Sequence, residues 1–188
     1  MPANPLPLDP PFLRLRHLLL EDAARMMELN GEPSTRRWLP SHVYADANAA
    51  TARIRYLIAC YWSPGDPRLG PYVLAVEDRD GGALLGHVGF SPLDGEVEVS
   101  YAIAEGARRR GYGAEALRGA CQWAAESFNL PAILAITESA NMPSRRTLER
   151  AAFVHGDDTV MRFQGGRHTV SRYVWRRSVY PSGTGDGS

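Results

Sequence analysis

The sequence predicts a single domain of the α/β class. Segments that alternate polar and apolar residues, as strands do, are separated by segments whose apolar residues recur every three or four positions, as in helices. The chain has 188 residues, the size of one domain with a substantial core, and its 44% apolar content is ordinary for a globular protein. We expect residues 1–11, rich in Pro, to be flexible, residues 12–178 to form the domain, and residues 179–188, rich in Gly and Ser, to be a disordered tail.

The first half of the chain predicts three strands and two helices. Gly31 and Pro33 are expected to end the first helix, and Asp46 is expected to cap the second. The stretch 78–82 is a strong hairpin signal, and Asp94-Gly95 predicts the next tight turn. The predicted elements are a strand over Phe12–Leu18, a helix over Glu21–Asn30, a helix after Asp46, and strands over Tyr72–Glu77 and Leu84–Leu93.

The second half predicts four more strands and two more helices. Residues 96–103 alternate polar and apolar side chains, which is typical of a strand, and the residues after Gly113 carry an apolar stripe of helical period. The predicted elements are a strand over Glu96–Ile103, a helix after Gly113, a strand over Ala132–Thr137, a helix over Ser144–Ala152, and strands over Phe153–Phe163 and His168–Arg177.

Composition and charge argue against several classes of protein. Lysine is absent, and 21 arginines balance 21 acidic residues, whereas a general nucleic-acid-binding protein needs a net basic surface. The two cysteines, Cys60 and Cys121, indicate neither a disulfide framework nor a metal site. Neither a signal peptide nor an apolar run of membrane-spanning length is evident. We therefore expect a cytoplasmic protein without metal, nucleic-acid or membrane partners.

The most informative stretch is the loop 108–114, Arg-Arg-Arg-Gly-Tyr-Gly-Ala, between a predicted strand and a predicted helix. Two glycines let the backbone turn tightly, so successive amides can point into one concavity that binds an anion. The first turn of the following helix adds free N–H donors and the positive end of its dipole. The spacing lacks the third glycine of a dinucleotide fingerprint and the Gly-Lys-Ser/Thr of a Walker loop. The pattern therefore predicts a phosphate-binding loop of another kind.

These residues resemble the GNAT superfamily of acyl-CoA-dependent N-acetyltransferases, whose signature is Arg/Gln-x-x-Gly-x-Gly/Ala. Here the signature falls on Arg108, Gly111 and Gly113, and the resemblance runs from about Phe12 to Arg177. The further matches are Asn141-Met142-Pro143-Ser144 with the family's Asn-x-x-Ser, residues 146–153 with its helix ending in Gly-Phe, and residues 13–23 with the opening of the subgroup that contains ribosomal-protein N-terminal acetyltransferases.

The resemblance implies a mixed, largely antiparallel sheet of about seven strands with helices on both faces. Strands four and five would splay apart, and the exposed edge of strand four would pair with the pantetheine arm of acetyl-CoA. The loop amides would hold the pyrophosphate, and at least one of the three arginines is expected to be only part of a solvated turn. The residues expected at the cofactor are Ala102, Ile103 and Ala104 on strand four, and Arg108, Arg109, Arg110, Gly111, Tyr112, Gly113 and Ala114 in the loop.

Three of the implied roles have a structural alternative. Asn141 would bond the pantetheine arm or cap the following helix. Ser144 would protonate the departing CoA thiolate or act as a cap. Tyr112 would contact the phosphates or pack against the sheet.

The chain also departs from the family at two positions. Ala152 stands where the family has a left-handed Gly, so the helix is expected to end differently. Ile136 stands where some relatives carry a catalytic Glu, so that base cannot be carried over.

Glu98 is the residue we expect to act as the general base. It lies on strand four, and a carboxylate there could accept the proton of the amine directly or through water. The alternatives are that Glu98 binds a cationic acceptor or pairs with an arginine. His87 and His168 are further candidates because imidazoles titrate near neutrality.

The function implied is transfer of an acetyl group from acetyl-CoA to a primary amine, by direct attack in a ternary complex. Proximity to a reactive thioester can supply most of the rate. The alternative is a non-catalytic acyl-CoA-binding sensor. The sequence leaves open whether the amine is a protein N-terminus or a small molecule, and whether the chain forms a homodimer.

Overall fold

The computed structural model describes residues 5–177, so the tail expected over residues 179–188 lies outside the described residues. The described part contains all seven expected strands. The strands are β1 (Leu13–His17), β2 (Tyr72–Asp78), β3 (Leu84–Leu93), β4 (Glu96–Ile103), β5 (Ala132–Glu138), β6 (Val154–Phe163) and β7 (Gly166–Arg176). The α-helices are α1 (Asp22–Asn30), α2 (Pro33–Trp38), α3 (Ala47–Cys60), α4 (Tyr112–Ser127) and α5 (Met142–Arg150).

The strands form one mixed sheet in the order β1-β2-β3-β4-β5-β7-β6. Every neighbouring pair is antiparallel except β4 and β5, which are parallel. These two strands pair at a single position, Glu98 opposite Leu134, and separate beyond it. The expected fold class, including the splay of strands four and five, is therefore confirmed.

Two short turns fix the register of the hairpins. Asp94 and Gly95 have φ values of 48° and 84°, and Gln164 and Gly165 have φ values of 50° and 84°. Two consecutive positive φ angles are typical of the two-residue turn that matches the twist of antiparallel strands. Because the second turn uses only two residues, β7 begins at Gly166 rather than at His168, where the sequence pattern predicts it.

Helices cover both faces of the sheet. We call the face under α4 and α5 the α4 face; Tyr72 of β2 packs on Trp123 of α4 there, with ring centroids 5.5 Å apart. We call the opposite face the α1 face; Arg16 of β1 bonds both carboxylate oxygens of Asp22 there, at 2.8 and 2.9 Å. Since side chains alternate along a strand, these contacts decide which face each strand residue occupies.

The segment between α1 and α3 differs from its sequence-based prediction. Gly31 caps the end of α1 as expected, but Pro33 begins a new helix, α2, instead of ending the first. Proline is well suited to the first helical position because its fixed φ fits there and its missing N–H would have no partner anyway. Asp46 caps α3 as predicted, since its carboxylate accepts a hydrogen bond from the amide of Ala49 at 2.8 Å.

Helix α5 ends in the left-handed conformation although the residue is alanine. Ala152 has a φ of 66°, so the chain keeps the geometry that glycine normally supplies. The expectation that the helix ends differently is therefore wrong. The strained position is held because Phe153 is buried and its amide bonds the carbonyl of Leu148 at 3.0 Å.

Part of the segment expected to be flexible is attached to the sheet. Leu8 exchanges two backbone hydrogen bonds with Leu15 of β1, at 2.9 and 2.8 Å. Residues 1–4 lie outside the described residues. Over residues 5–177, no helix is long and apolar enough to cross a membrane.

Candidate active site

The gap between β4 and β5 exposes backbone groups on one edge of β4. The amide of Ala104 is bonded to the carbonyl of Leu85 on β3, at 2.8 Å. Backbone groups of an antiparallel strand point alternately to its two neighbours, so those of Ala102 also face β3. Of the three strand-four residues expected to bind pantetheine, only Ile103 therefore points its N–H and C=O towards the gap, as does Tyr101. The carbonyl of Ile103 already accepts a hydrogen bond from Nε of Arg108, so its N–H is the free group.

The loop after β4 has the geometry of an anion-binding nest. Arg109 and Gly111 have positive φ angles of 63° and 87°, and α4 begins directly after Gly111. The amides from Arg109 to Ala114 have no hydrogen-bond partner within residues 5–177; the next amide, that of Glu115, bonds the carbonyl of Gly111 at 3.1 Å. Successive free amides at the start of a long helix are the donors that a pyrophosphate requires.

The two glycines of the loop are needed for different reasons. Gly111 has the left-handed φ of 87°, while a Cβ added there would meet nothing within 4 Å. Gly113 has an ordinary helical backbone, but a Cβ there would lie 3.1 Å from Cγ2 of Thr147 on α5. Gly111 therefore shapes the nest, and Gly113 allows α4 and α5 to approach each other.

The three arginines do not share one role. Arg108 is turned back into the protein, where its Nε donates to the carbonyl of Ile103 at 2.7 Å. Its other nitrogens lie 3.6 Å from Glu32 and 3.8 Å from Glu105. Arg109 and Arg110 are exposed and have no partner in the described part of the chain. Their guanidinium groups are therefore the two unpaired positive charges beside the nest.

Glu32 also ties the start of α2 to the end of β4. Its carboxylate accepts the amide of Glu105 at 2.8 Å, and the carboxylate of Glu105 accepts the amide of Ser34 at 3.1 Å. This contact joins residues more than 70 positions apart in sequence, and nothing in the local sequence pattern indicates it.

The Asn-x-x-Ser motif lies at the start of α5, beside β4. Asn141 is 9% exposed and caps the helix, with its Oδ1 accepting the amide of Ser144 at 3.2 Å. The side chain of Ser144 is not a cap; its Oγ accepts a hydrogen bond from the hydroxyl of Tyr101 at 3.3 Å. Tyr101 is a functional candidate that the sequence reasoning missed.

Tyr112 and Ala114 face inward. Tyr112 is partly buried against the core, and Ala114 is buried. Both can therefore contribute to an anion site through their free amides, while the Tyr112 ring takes the packing role.

Glu98 lies on the α1 face of β4, on the opposite face from Tyr101. Its side chain is partly buried, and the carboxylate has no hydrogen-bond or ion-pair partner within residues 5–177. Burial alone raises the pKa of Glu98 above its ordinary value. A carboxylate whose pKa lies closer to neutrality is better matched to accepting a proton from an amine.

The two alternative histidines are already engaged. His87 is 3% exposed and its Nε2 lies 3.2 Å from Oδ1 of Asn30. Burial lowers the pKa of His87 to about 3. His168 lies on β7 with its Nδ1 3.3 Å from the carboxylate of Glu138.

The segment between α1 and α3 contacts the β6–β7 hairpin. Nε2 of Gln164, in the hairpin turn, donates to the carbonyl of Trp38 at 2.8 Å. The Oε1 atom of Gln164 is buried without a partner among the described residues. The α1 face around Glu98 is the candidate acceptor site, because Glu98 lies where the gap between β4 and β5 begins.

Comparison with solved structures shows the same fold in several acetyltransferases. The GNAT-family acetyltransferase from Bacillus anthracis has a TM-score of 0.77 at 15% identity, over 91% of this chain and 98% of that chain. The acetyltransferase from Salmonella typhimurium that modifies the N-terminal serine of ribosomal protein L7/L12 has a TM-score of 0.73 at 14% identity, over 89% and 96%. The ribosomal L7/L12 acetyltransferase RimL, solved with coenzyme A, has a TM-score of 0.74 at 14% identity, over 88% and 94%.

At these identities the structural likeness shows the fold alone, and ribosomal-protein acetyltransferases are among the proteins that share it. No curated protein sequence matches the chain. The family model described as acetyltransferase (GNAT) domain matches residues 13–154, which includes β4, the loop with the free amides, and α5. The chain therefore belongs to the acetyltransferase (GNAT) domain family.

Proposed function

We propose that this protein transfers the acetyl group of acetyl-CoA to a primary amine, by direct attack within a ternary complex. One observation carries the proposal: the gap between β4 and β5 connects a loop of six unbonded amides to an unpaired, partly buried carboxylate, that of Glu98. A protein that only binds acyl-CoA needs the loop but has no use for the carboxylate.

The cosubstrate would be held along the exposed edge of β4. The N–H of Ile103 and the backbone groups of Tyr101 are available to the pantetheine arm, and the amides from Arg109 to Ala114 offer donors to the pyrophosphate. Arg109 and Arg110 add charge-assisted bonds to the phosphates. The side-chain amide of Asn141 remains available to the arm, because the capping bond uses only Oδ1.

Direct attack is favoured because no thiol is placed to accept the acetyl group. Cys60 and Cys121 are both buried, and burial raises the pKa of Cys121. The thiolate, not the thiol, is the nucleophile in such transfers. An acetylated cysteine intermediate therefore has no candidate in this chain.

The reaction follows from the positions of Glu98 and Ser144. Glu98, directly or through a water molecule, takes the proton of the attacking amine, whose nitrogen forms the bond to the thioester carbon. The carbon–sulfur bond then breaks, and the thiolate receives a proton from Ser144, which is hydrogen-bonded to Tyr101. Glu98 then releases its proton to water, and Ser144 is reprotonated from solvent, so the protons balance. The products are the acetylated amine and free CoA.

A panel of primary amines with acetyl-CoA, monitored for free thiol, tests the proposal. Thiol release that requires an amine and is lost in Glu98→Gln is the expected result. If CoA binds but no amine, protein N-terminal peptides included, releases thiol above the hydrolysis background, the chain is a CoA-binding module instead.

A further inference from the structure

An arginine without a partner lies on the α1 face of β7. Arg172 pairs with Ile136 of β5, one position before Tyr173. Tyr173 bonds Arg145 and Glu149 of α5, so it occupies the α4 face, and Arg172 must occupy the α1 face. The side chain of Arg172 is partly buried, and its guanidinium makes no hydrogen bond or ion pair within residues 5–177.

The other partly buried charged side chains on this face of the sheet form pairs. Arg16 bonds Asp22 and Glu77, and His168 lies beside Glu138. Glu98 and Arg172 are the exceptions among the partly buried ones: one carboxylate and one guanidinium, each withdrawn from water and each unpaired. Withdrawing a charge from water without a partner is unfavourable, so both groups are suited to receive a ligand of opposite charge.

Glu98 and Arg172 are too far apart to satisfy each other. They lie on β4 and β7 with β5 between them, and are offset by two positions, because Glu98 pairs with Leu134 and Arg172 with Ile136. Regular sheet spacings place their α-carbons about 12 Å apart. Consistently, burial is the only influence on the pKa of Glu98, with no contribution from Arg172. The space between the two charges therefore fits a short molecule rather than a direct ion pair.

We propose that the acetyl acceptor is a small amine that also carries an anionic group, with the amine at Glu98 and the anion at Arg172. This inference rests on the proposed transferase function and adds the class of acceptor. A planar guanidinium binds a carboxylate or a phosphate through paired hydrogen bonds.

The test is a set of acceptors that differ only in the anion. Glycine, β-alanine and γ-aminobutyrate are compared with their amides, and aminoethyl phosphate distinguishes a phosphate from a carboxylate. The wild-type enzyme is expected to acetylate at least one anionic amine with a kcat/KM roughly 10- to 100-fold above that of its neutral counterpart. Arg172→Leu should abolish that preference by raising the KM of the anionic amine, while the neutral amine changes by less than about twofold.

Arg176→Leu is the matched control. Arg176 lies four residues further along β7 on the same face, but it is exposed and pairs with Ala132 at the far end of β5. Arg176→Leu should leave the preference for anionic amines intact. An equal loss in both arginine variants would overturn the assignment of Arg172.

The result separates this inference from the proposed function. If thiol is released with no preference for anionic amines, or if the preference survives in Arg172→Leu, the proposed transferase function stands. The assignment of Arg172 as the anion site is then overturned. If no amine releases thiol, calorimetry on the CoA-bound protein gives the answer: anionic amines must bind more tightly than their amides and lose that advantage in Arg172→Leu. Absence of such binding overturns the proposal.

Discussion

The hydroxyl of Tyr101 donates a hydrogen bond to Oγ of Ser144 at 3.3 Å, connecting β4 to the first turn of α5 beside the gap in the sheet. Burial raises the pKa of Tyr101, so the phenol stays protonated across the range in which the enzyme would be assayed. Ser144 accepts this bond and keeps its own proton for another acceptor. The helix cap does not involve the Ser144 side chain, because Asn141 bonds the backbone amide of that residue.

Replacing Ser144 should therefore affect chemistry more than stability. Ser144→Ala keeps the capped amide but removes the proton donor, so turnover should fall by about 10²-fold, the lower end of the range for acid–base catalysis. The dissociation constant of CoA and the Tm should stay close to those of the wild type. Tyr101→Phe, which leaves Ser144 in place, should show a smaller loss. A lower Tm with normal turnover would instead give Ser144 a structural role.

Substitutions at the two loop glycines should fail in different ways. Gly111→Ala strains a left-handed residue by about 1 kcal/mol and distorts the nest, so CoA affinity should fall, whereas Gly111→Asn should be milder because asparagine tolerates this conformation. Gly113→Ala places a methyl group against Cγ2 of Thr147, so the free energy of unfolding should fall more than the affinity for CoA.

Calorimetry with CoA and thermal unfolding distinguish the two effects. Thr147→Ser removes the opposing methyl group but keeps the bond from Oγ1 to the carbonyl of Pro143. Adding Thr147→Ser to Gly113→Ala should restore stability, while adding it to Gly111→Ala should not restore CoA affinity. Rescue of both variants would show that the two glycines act alike.

Glu98 should make activity and stability depend on pH in opposite directions. Because burial raises its pKa, the protonated carboxyl favours the folded state; that stability is fully present below the ordinary pKa and is lost as the pH rises through the folded pKa. Glu98→Gln should therefore be more stable than the wild type at neutral pH, with the difference narrowing towards about pH 4. Turnover should fall about 10²- to 10⁴-fold.

Glu96→Gln is the control, since Glu96 lies two residues earlier on the same face but is exposed. Denaturant unfolding and pH–rate profiles of both variants, with one acceptor amine, make the comparison. If Glu98 only binds a cationic acceptor, KM rises and kcat stays near normal. Unchanged kinetics in Glu98→Gln would contradict both roles.

Ala152 offers a stabilising substitution. Its φ of 66° is unfavourable for alanine, so Ala152→Gly should raise the free energy of unfolding by about 0.5–1 kcal/mol, net of the greater flexibility of glycine in the unfolded chain. Ala52→Gly, at an exposed position inside α3, should lower it by about 1 kcal/mol. Chemical denaturation of both variants measures the difference, and a loss of stability at both positions would contradict the strain at Ala152.

The sequence predicts most elements well because their boundaries carry strong local signals. β3 and β4 have the expected bounds, since alternation is clear on both sides of the Asp94-Gly95 turn. Helix α2 was missed because Pro33 is compatible both with ending one helix and with starting the next, and the choice depends on the bond between Ser34 and Glu105, which is distant in sequence.

The candidate site was only partly predictable for the same reason. The free amides of the loop follow from local spacing, as does the position of Glu98 on β4. The inward turn of Arg108 depends on Glu32, and the isolation of Arg172 depends on the pairing of β5 with β7. Such features arise from tertiary contacts that no local pattern encodes.

The single pair between β4 and β5 divides the sheet into two blocks, each formed from one continuous stretch of chain, residues 13–103 and residues 132–176. Within each block all neighbouring strands are antiparallel. Helix α4 connects the blocks and packs against β4, β5 and α5. Widening the gap to admit a ligand breaks at most the hydrogen bonds of one residue pair, while the hydrogen-bonded ladders on both sides stay intact.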